Sequence, residues 1–264
     1  MQIHFYKYQG TGNDFIILDN RTNQYDQLGT REIRQLCDRR FGIGADGLML
    51  LNLKPGYDFE MKYFNSDGNE SSMCGNGGRC LVKFASSLGL YKDTFRFAAT
   101  DGDHDAEIDA DGTVSLKMKD VEKIENYHGD SILDTGSPHY VQIVPDVKNI
   151  DVFQKGKEIR YSTDFAKEGI NANFVEQQHV DRIIVRTYER GVEEETLSCG
   201  TGVTASALVC YHNDMGFNNV MVITKGGMLS VEFDRVNEGS YRNIWLCGPA
   251  TFVYEGDINI KPFE

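Results

Sequence analysis

Apolar positions along this chain fall mostly in short runs that alternate with polar ones and break at Gly, Asn or Asp. A period of two is the signature of a strand with one buried face. It predicts strands at 15–18, 59–64, 106–108 and 114–118, then at 140–144, 183–188, 220–223, 229–233 and 243–246. DADG at 109–112 sits between two of these strands and predicts a hairpin turn. Fewer segments follow a helical period. Thr30 is placed to cap a helix carrying Ile33, Leu36 and Cys37 on one face and ending near Gly42. Segments 79–88 and 203–211 are apolar on nearly every side, and a helix without a polar face is buried. The mixture is α+β or α/β, with more sheet than helix.

Overlaid on this pattern is an internal repeat. TGNDFIILD from Thr11 is similar to TGSPHYVQI from Thr135, and FNSDGNESSMCGNG from Phe64 is similar to YERGVEEETLSCGTG from Tyr188. Aligned on cysteine, both contain Glu-x-x-x-Cys-Gly-[Asn/Thr]-Gly, with Glu70 and Glu195 in register. Thr11 precedes Cys74 by 63 positions and Thr135 precedes Cys199 by 64. Two motifs kept in order at nearly one spacing imply two similar halves, 1–118 and 119–248. Each would hold a strand, a Cys-Gly-x-Gly turn and a buried helix. Paired halves usually take a ligand in the cleft between them.

Composition narrows the ligand. With 40% hydrophobic residues, 264 positions supply an ample core, and the net charge is −13. Such a surface repels nucleic acid and anionic membranes, and no Lys/Arg cluster offsets it. The expected ligand is therefore small. Neither a signal peptide nor a membrane-spanning run is evident. Six cysteines without compact spacing argue against a secreted disulfide framework and for reduced thiols in a cytoplasm. No zinc-like spacing appears, so no metal is expected. The absence of a pyridoxal-phosphate lysine motif or a nucleotide fingerprint leaves no cofactor required.

The two repeated cysteines carry the chemistry. Each opens a helix, where amides without internal partners give a partial positive charge that stabilises a thiolate. The amides of Gly75, Asn76, Gly200 and Thr201 are also suited to hold a carboxylate. Two acid–base groups of one kind, facing each other across a cleft, suit inversion of a stereocentre. One thiolate takes the α-proton and the opposite thiol returns one to the other face.

GTGNDFIILD, FNSDGNESSMCGNGGRC and YERGVEEETLSCGTG together resemble the most characteristic segments of the diaminopimelate epimerase family, with FGIGADGLM and INANFVE as further matches. The resemblance runs through almost the whole chain in order. It implies interconversion of LL- and meso-diaminopimelate, and an α+β fold of two pseudo-symmetric domains, each a mixed sheet barrel wrapped round a central helix. In the family the last strand often returns to the first domain, which would place 249–264 there. The resemblance implies substrate binding by Asn13, Asn65, Asn173 and Glu189-Arg190, with Gly75-Asn76 and Gly200-Thr201. It implies thiol tuning by His139 and Glu189, and a homodimer. Two positions depart from it, Ser137 where Asn is frequent and Gly47 where Gln is frequent, and both bear on how the distal end of the substrate is held.

Blander readings compete with these. Cys37, Cys80, Cys210 and Cys247 read as small core residues, and the acidic run 193–195 as a solvated loop in which Glu195 is placed to help shape the turn before Cys199. Asn13, Asn65 and Asn173 also suit turns. A proline, hydroxyproline or histidine racemase of the same architecture is the nearest alternative function. A thiol redox protein and a non-catalytic amino-acid binder are more distant ones.

Overall fold

The first hairpin shows how local chemistry sets the frame. In the computed structural model, which describes residues 1–210 and 215–260, Gln2–Gly10 pairs antiparallel with Asn13–Asp19 across a two-residue turn. Thr11 and Gly12 both have positive φ there (50° and 85°), the conformation whose twist matches the flanking strands. Asn13–Asp19 then runs parallel to Gly47–Asn52, which is antiparallel to Phe59–Asn65. Thr94–Ala99 and Gly102–Ile108 continue the sheet, and Asp109–Gly112 makes the expected hairpin turn, with Gly112 N donating to Asp109 O at 2.8 Å.

These elements form one compact unit, Met1–Leu116 with Pro249–Glu264; Lys117–Gly248 forms the other. In the first, Thr251–Asn259 lies antiparallel to Gln2–Gly10. The second begins its sheet with Asp130–Asp134 and Pro138–Ile143, the latter parallel to Asn171–His179. Arg182–Glu189, Gly216–Thr224, Gly227–Asn237 and Ser240–Gly248 complete it. The class is α+β and dominated by sheet.

Four helices occur among the described residues. Helix α1 (Thr30–Cys37) buries Ile33, Leu36 and Cys37 as the periodicity requires. Thr30 is its first helical residue; Gly29 precedes it, and Glu32 accepts from the Gly29 amide at 3.1 Å. The helix stops at Cys37, short of Gly42. Helix α2 (Gly75–Ser87) and α4 (Gly200–Cys210) are buried along most of their length, each lying against the sheet of its own unit. The sequence-predicted end of α4 at Tyr211 lies outside the described residues.

Helix α3 (Val152–Arg160) has no counterpart in the hydrophobic pattern. It buries only Val152 and Gly156, too few positions to show a period. Asp151 starts it by accepting from Gln154 N at 2.9 Å, and Gly156 lets it approach the Tyr188 ring. The strand Gly47–Asn52 is also absent from the pattern, because all six of its residues are buried and nothing alternates.

Candidate active site

Both repeated cysteines stand immediately before a buried helix. The Cys74 carbonyl accepts from Gly78 N at 2.7 Å and that of Cys199 from Val203 N at 2.8 Å, the first internal bond of each helix. The amides of Gly75 and Gly77, and of Gly200 and Gly202, thus precede the helical ladder and present the positive end of the dipole. Cys74 is half-buried and Cys199 is 7% exposed.

The sequence repeat reappears as a repeat of contacts. Phe64 pairs with Glu70 and Tyr188 pairs with Glu195, so aligned residues take aligned register just ahead of each cysteine. Thr11 donates to Asn76 Oδ1 at 3.4 Å, and its counterpart Thr135 donates to Thr201 O at 2.9 Å. Asn76 and Thr201 both stand two residues after the cysteine. The hairpin residue that begins each half is thereby fastened to the helix that carries the thiol.

In the first unit Cys74 Sγ donates to Asn13 Oδ1 at 3.5 Å, and Asn76 Nδ2 reaches the same oxygen at 3.4 Å. Asn13 Nδ2 donates to Asp46 Oδ2 at 2.7 Å. Asn65 is exposed and lies opposite Gly47 in the strand register. A Cβ on Gly47 would lie 2.5 Å from Tyr63 Cε2 and 2.8 Å from its hydroxyl oxygen. The departure at Gly47 therefore has a packing cause: the Tyr63 ring fills that space.

In the second unit His139 is fully buried. Asn173 donates through Nδ2 to the Tyr140 carbonyl at 2.9 Å and lies 3.1 Å from His139 Nδ1; its Oδ1 accepts from Thr187 at 2.9 Å. Because a carbonyl only accepts, the atom facing Tyr140 and His139 must be the amide nitrogen. His139 Nδ1 is then the acceptor and its proton sits on Nε2. Burial, above all, holds this imidazole down to about 3, so it is neutral at physiological pH. Gly202 leaves room beside both; a Cβ there would collide with Asn173 Oδ1 and stand 3.4 Å from His139 Cε1 and from Cys199 Cβ.

Asn171 gathers what the sequence assigned elsewhere. It donates to Ser137 Oγ at 3.0 Å and accepts from Arg190 N at 2.8 Å, while Arg190 Nη2 donates to Ser137 Oγ at 3.3 Å. The shorter side chain at Ser137 is thus knitted to Arg190 and Asn171. Glu189, half-buried, directly precedes Arg190. Cys199 Sγ lies 3.5 Å from Thr201 Oγ1.

Three roles escaped the sequence reading. Glu195 is in a strand, 17% exposed, between Arg186 and Lys225, each at 2.7 Å; burial pushes its carboxyl up, but those cations overcome this and hold it below the usual range. Asn171 and Asp46 stood inside quoted motifs, INANFVE and FGIGADGLM, and only their contacts single them out. The remaining cysteines, Cys37, Cys80, Cys210 and Cys247, are buried, and burial raises the first three thiols to about 12. Among the described residues no helix is long and apolar enough to cross a membrane.

Comparison with known proteins adds an independent line. The family described as diaminopimelate epimerase matches residues 5–124 and 131–253. A diaminopimelate epimerase of Flavobacterium psychrophilum is 50% identical, over 96% of this chain and 99% of its own. One of Aquifex aeolicus is 36% identical over 99% and 100%. Among solved structures, a phenazine biosynthesis protein of the PhzF family from Bacillus anthracis superimposes with a TM-score of 0.75 at 16% identity, covering 98% of this chain and all of its own. A hydroxyproline epimerase from Agrobacterium vitis does so with a TM-score of 0.67 at 13% identity, covering 97% and 92%. At such identities these two likenesses concern the fold alone.

Proposed function

Because the chain belongs to the diaminopimelate epimerase family, we propose that Cys74 and Cys199 are its two proton-transfer groups, one for each face of the α-carbon. The enzyme is an isomerase that interconverts LL- and meso-diaminopimelate, a step toward lysine and, in many bacteria, peptidoglycan.

The observation that carries the thiol assignment is the repeated setting of the two cysteines, each immediately ahead of a buried helix whose first internal bond its own carbonyl accepts. A carbanion next to a carboxylate spreads its charge onto the carboxylate oxygens. Helix amides from Gly75-Asn76 and Gly200-Thr201 would stabilise that charge as it builds. Asn13, Asn65 and the pair Glu189-Arg190 bind the substrate's polar groups, and Asn171 joins them through Ser137 and Arg190. Asn173, fully buried, contributes by fixing the imidazole of His139, which with Glu189 tunes the Cys199 thiol. The chemistry asks for no cofactor, and its thiols suit a reducing cytoplasm.

The test is solvent-deuterium incorporation. LL-Diaminopimelate incubated in deuterium oxide with reduced protein should lose its α-proton at one centre and emerge as the α-deuterated meso isomer. Product formed without solvent deuterium would rule out thiol exchange.

Assembly into a homodimer is also proposed. Phe252, Val253 and Tyr254, on the strand that closes the first unit, are 47%, 51% and 42% exposed, an apolar run unusual on a solvated surface. A second copy of the same strand would cover it. Sedimentation should give twice the chain mass for wild type and the chain mass for Val253→Asp. A monomeric wild type would end this idea.

A further inference from the structure

Side-chain amides look alike end to end, so only their partners fix which atom points where. Around Cys74 the partners at both ends are ionic. Arg79, fully buried one turn into α2, donates through Nη2 to Asn76 Oδ1 at 2.9 Å and through Nη1 to Gly75 O at 3.3 Å. A guanidinium only donates and stays charged, so the Asn76 atom facing it must be oxygen. At the far end Asp46 Oδ2 faces Asn13 at 2.7 Å, while its Oδ1 accepts from Arg39 at 2.7 Å. A carboxylate only accepts, so the Asn13 atom facing it must be nitrogen. The two atoms left over, Asn76 Nδ2 and Asn13 Oδ1, meet as donor and acceptor at 3.4 Å.

We propose that Asp46 is a positioning residue: from one end of the chain Arg79–Asn76–Asn13–Asp46 it locks the Asn13 carbonyl toward Cys74 Sγ. The idea rests on the reading of Cys74 as a catalytic thiol. A fixed acceptor 3.5 Å from the sulfur stabilises its S–H form and gives Cys74 a directed proton. The second unit is built differently. Thr201 stands at the place of Asn76 and Thr204 at that of Arg79, donating to Gly200 O at 3.1 Å. A hydroxyl beside Cys199 rotates to serve thiol or thiolate alike.

Other charged and titratable groups near Cys74 come from several elements. Arg79 and Cys80 lie on α2 itself. Asp101 accepts from Met73 N at 3.2 Å and is paired with His104 at 3.2 Å. Behind Asn13, Arg39 bridges Asp46 and Asp14, and Lys7 pairs with Asp14 at 2.7 Å. Asp46→Asn leaves the pairs around Asp14 and Asp101 in place but reverses one polarity. Arg39 would retain the oxygen of the substituted side chain, turning the new amide nitrogen toward Asn13. Asn13 would then turn its own N–H toward sulfur.

The experiment reads the alkylation rate of Cys74 by iodoacetamide across pH, in a Cys199→Ala background, with the labelled peptide identified by mass. Asp46→Asn should move the midpoint of that profile down by about one pH unit, a roughly tenfold gain in thiolate near neutrality. Asp46→Glu, still acceptor-only, should keep the parent midpoint. Loss of a negative charge also lowers a thiol pKa, so the same Asp46→Asn change is made with Asn13→Ala. There the shift should fall to less than half. An equal shift with and without Asn13, or no shift at all, overturns the proposal. Alkylation needs no substrate, so failure of the deuterium test would leave this result standing, and the reverse.

Discussion

Cys74→Ala and Cys199→Ala should each abolish stereochemical inversion while leaving the protein folded. Neither thiol is held by an element whose packing it alone completes: Cys74 is half-buried at the start of α2, and Cys199 occupies the matching place before α4. Losing one sulfur should therefore cost little stability, and melting temperatures should stay close to wild type. Catalysis behaves differently. A positioned acid or base contributes roughly 10²–10⁴-fold, and inversion needs both in one turnover. Each variant should thus fall by about 10³-fold or more in the rate of meso product formation. The surviving thiol is still able to remove a proton from the face it addresses, so slow α-exchange without inversion is the expected residue of activity. Chiral chromatography of the product, with deuterium counting, separates the two. If inversion persists at an appreciable rate in either variant, the two-thiol mechanism is wrong.

Acid should destabilise this fold well above the range where carboxylates titrate, through His139. Its imidazole is neutral and buried, held down to about 3, whereas in the unfolded chain it returns to about 6.5. Between those values the unfolded state binds a proton that the folded state refuses, so stability falls as pH drops. The loss begins near pH 6.5 and runs at up to about 1.4 kcal/mol per pH unit. Asp14 pulls the same way only at much lower pH. Burial pushes its carboxyl up, but hydrogen bonds and charge from Arg39 and Lys7 outweigh that and hold it far below the usual range. Urea unfolding at pH 7 and pH 5 should therefore show a loss on the order of 2 kcal/mol for wild type. In His139→Phe most of that loss should vanish. Phenylalanine is the fitting replacement, because Phe15 holds the matching place in the first unit, with Cε1 3.5 Å from the Cβ position of Gly77. An undiminished acid slope in the variant would assign the effect to other groups.

How far the sequence reveals this depends on what kind of force fixes each feature. Strands with one wet face declare themselves by alternation, as at 183–188 and 229–233, and α2 and α4 by having no wet face at all. The repeat of Glu-x-x-x-Cys-Gly-x-Gly marks both thiols before any coordinate is known. What the pattern hides is of two sorts. Gly47–Asn52 is buried throughout, and α3 buries too little, so neither leaves a period to detect. Polar roles are hidden for another reason: a side-chain amide has no sequence signature for its direction. Asn171 and Asn173 sit two positions apart in one strand and look interchangeable. Only their partners, Ser137 and Arg190 for one, His139 and Thr187 for the other, tell them apart. The family resemblance implies Asn173 for direct contact; the contacts of Asn171 with Ser137 and Arg190 come only from the structure.

The strand pairing of Gln2–Gly10 with Thr251–Asn259 has a consequence for how the enzyme is made. Lys117–Gly248 is continuous in the chain and is complete once its last residue clears the ribosome. The other unit is split: its opening strand waits, with Ile3 and Phe5 already in its core cluster, for a neighbour translated some 250 positions later. At roughly 5–20 residues per second that delay lasts tens of seconds. The half carrying Cys199 thus folds from one unbroken stretch, whereas the half carrying Cys74 needs both ends of the chain. A chain cut short before residue 251 would lack the strand that pairs with Gln2–Gly10 and closes the half carrying Cys74.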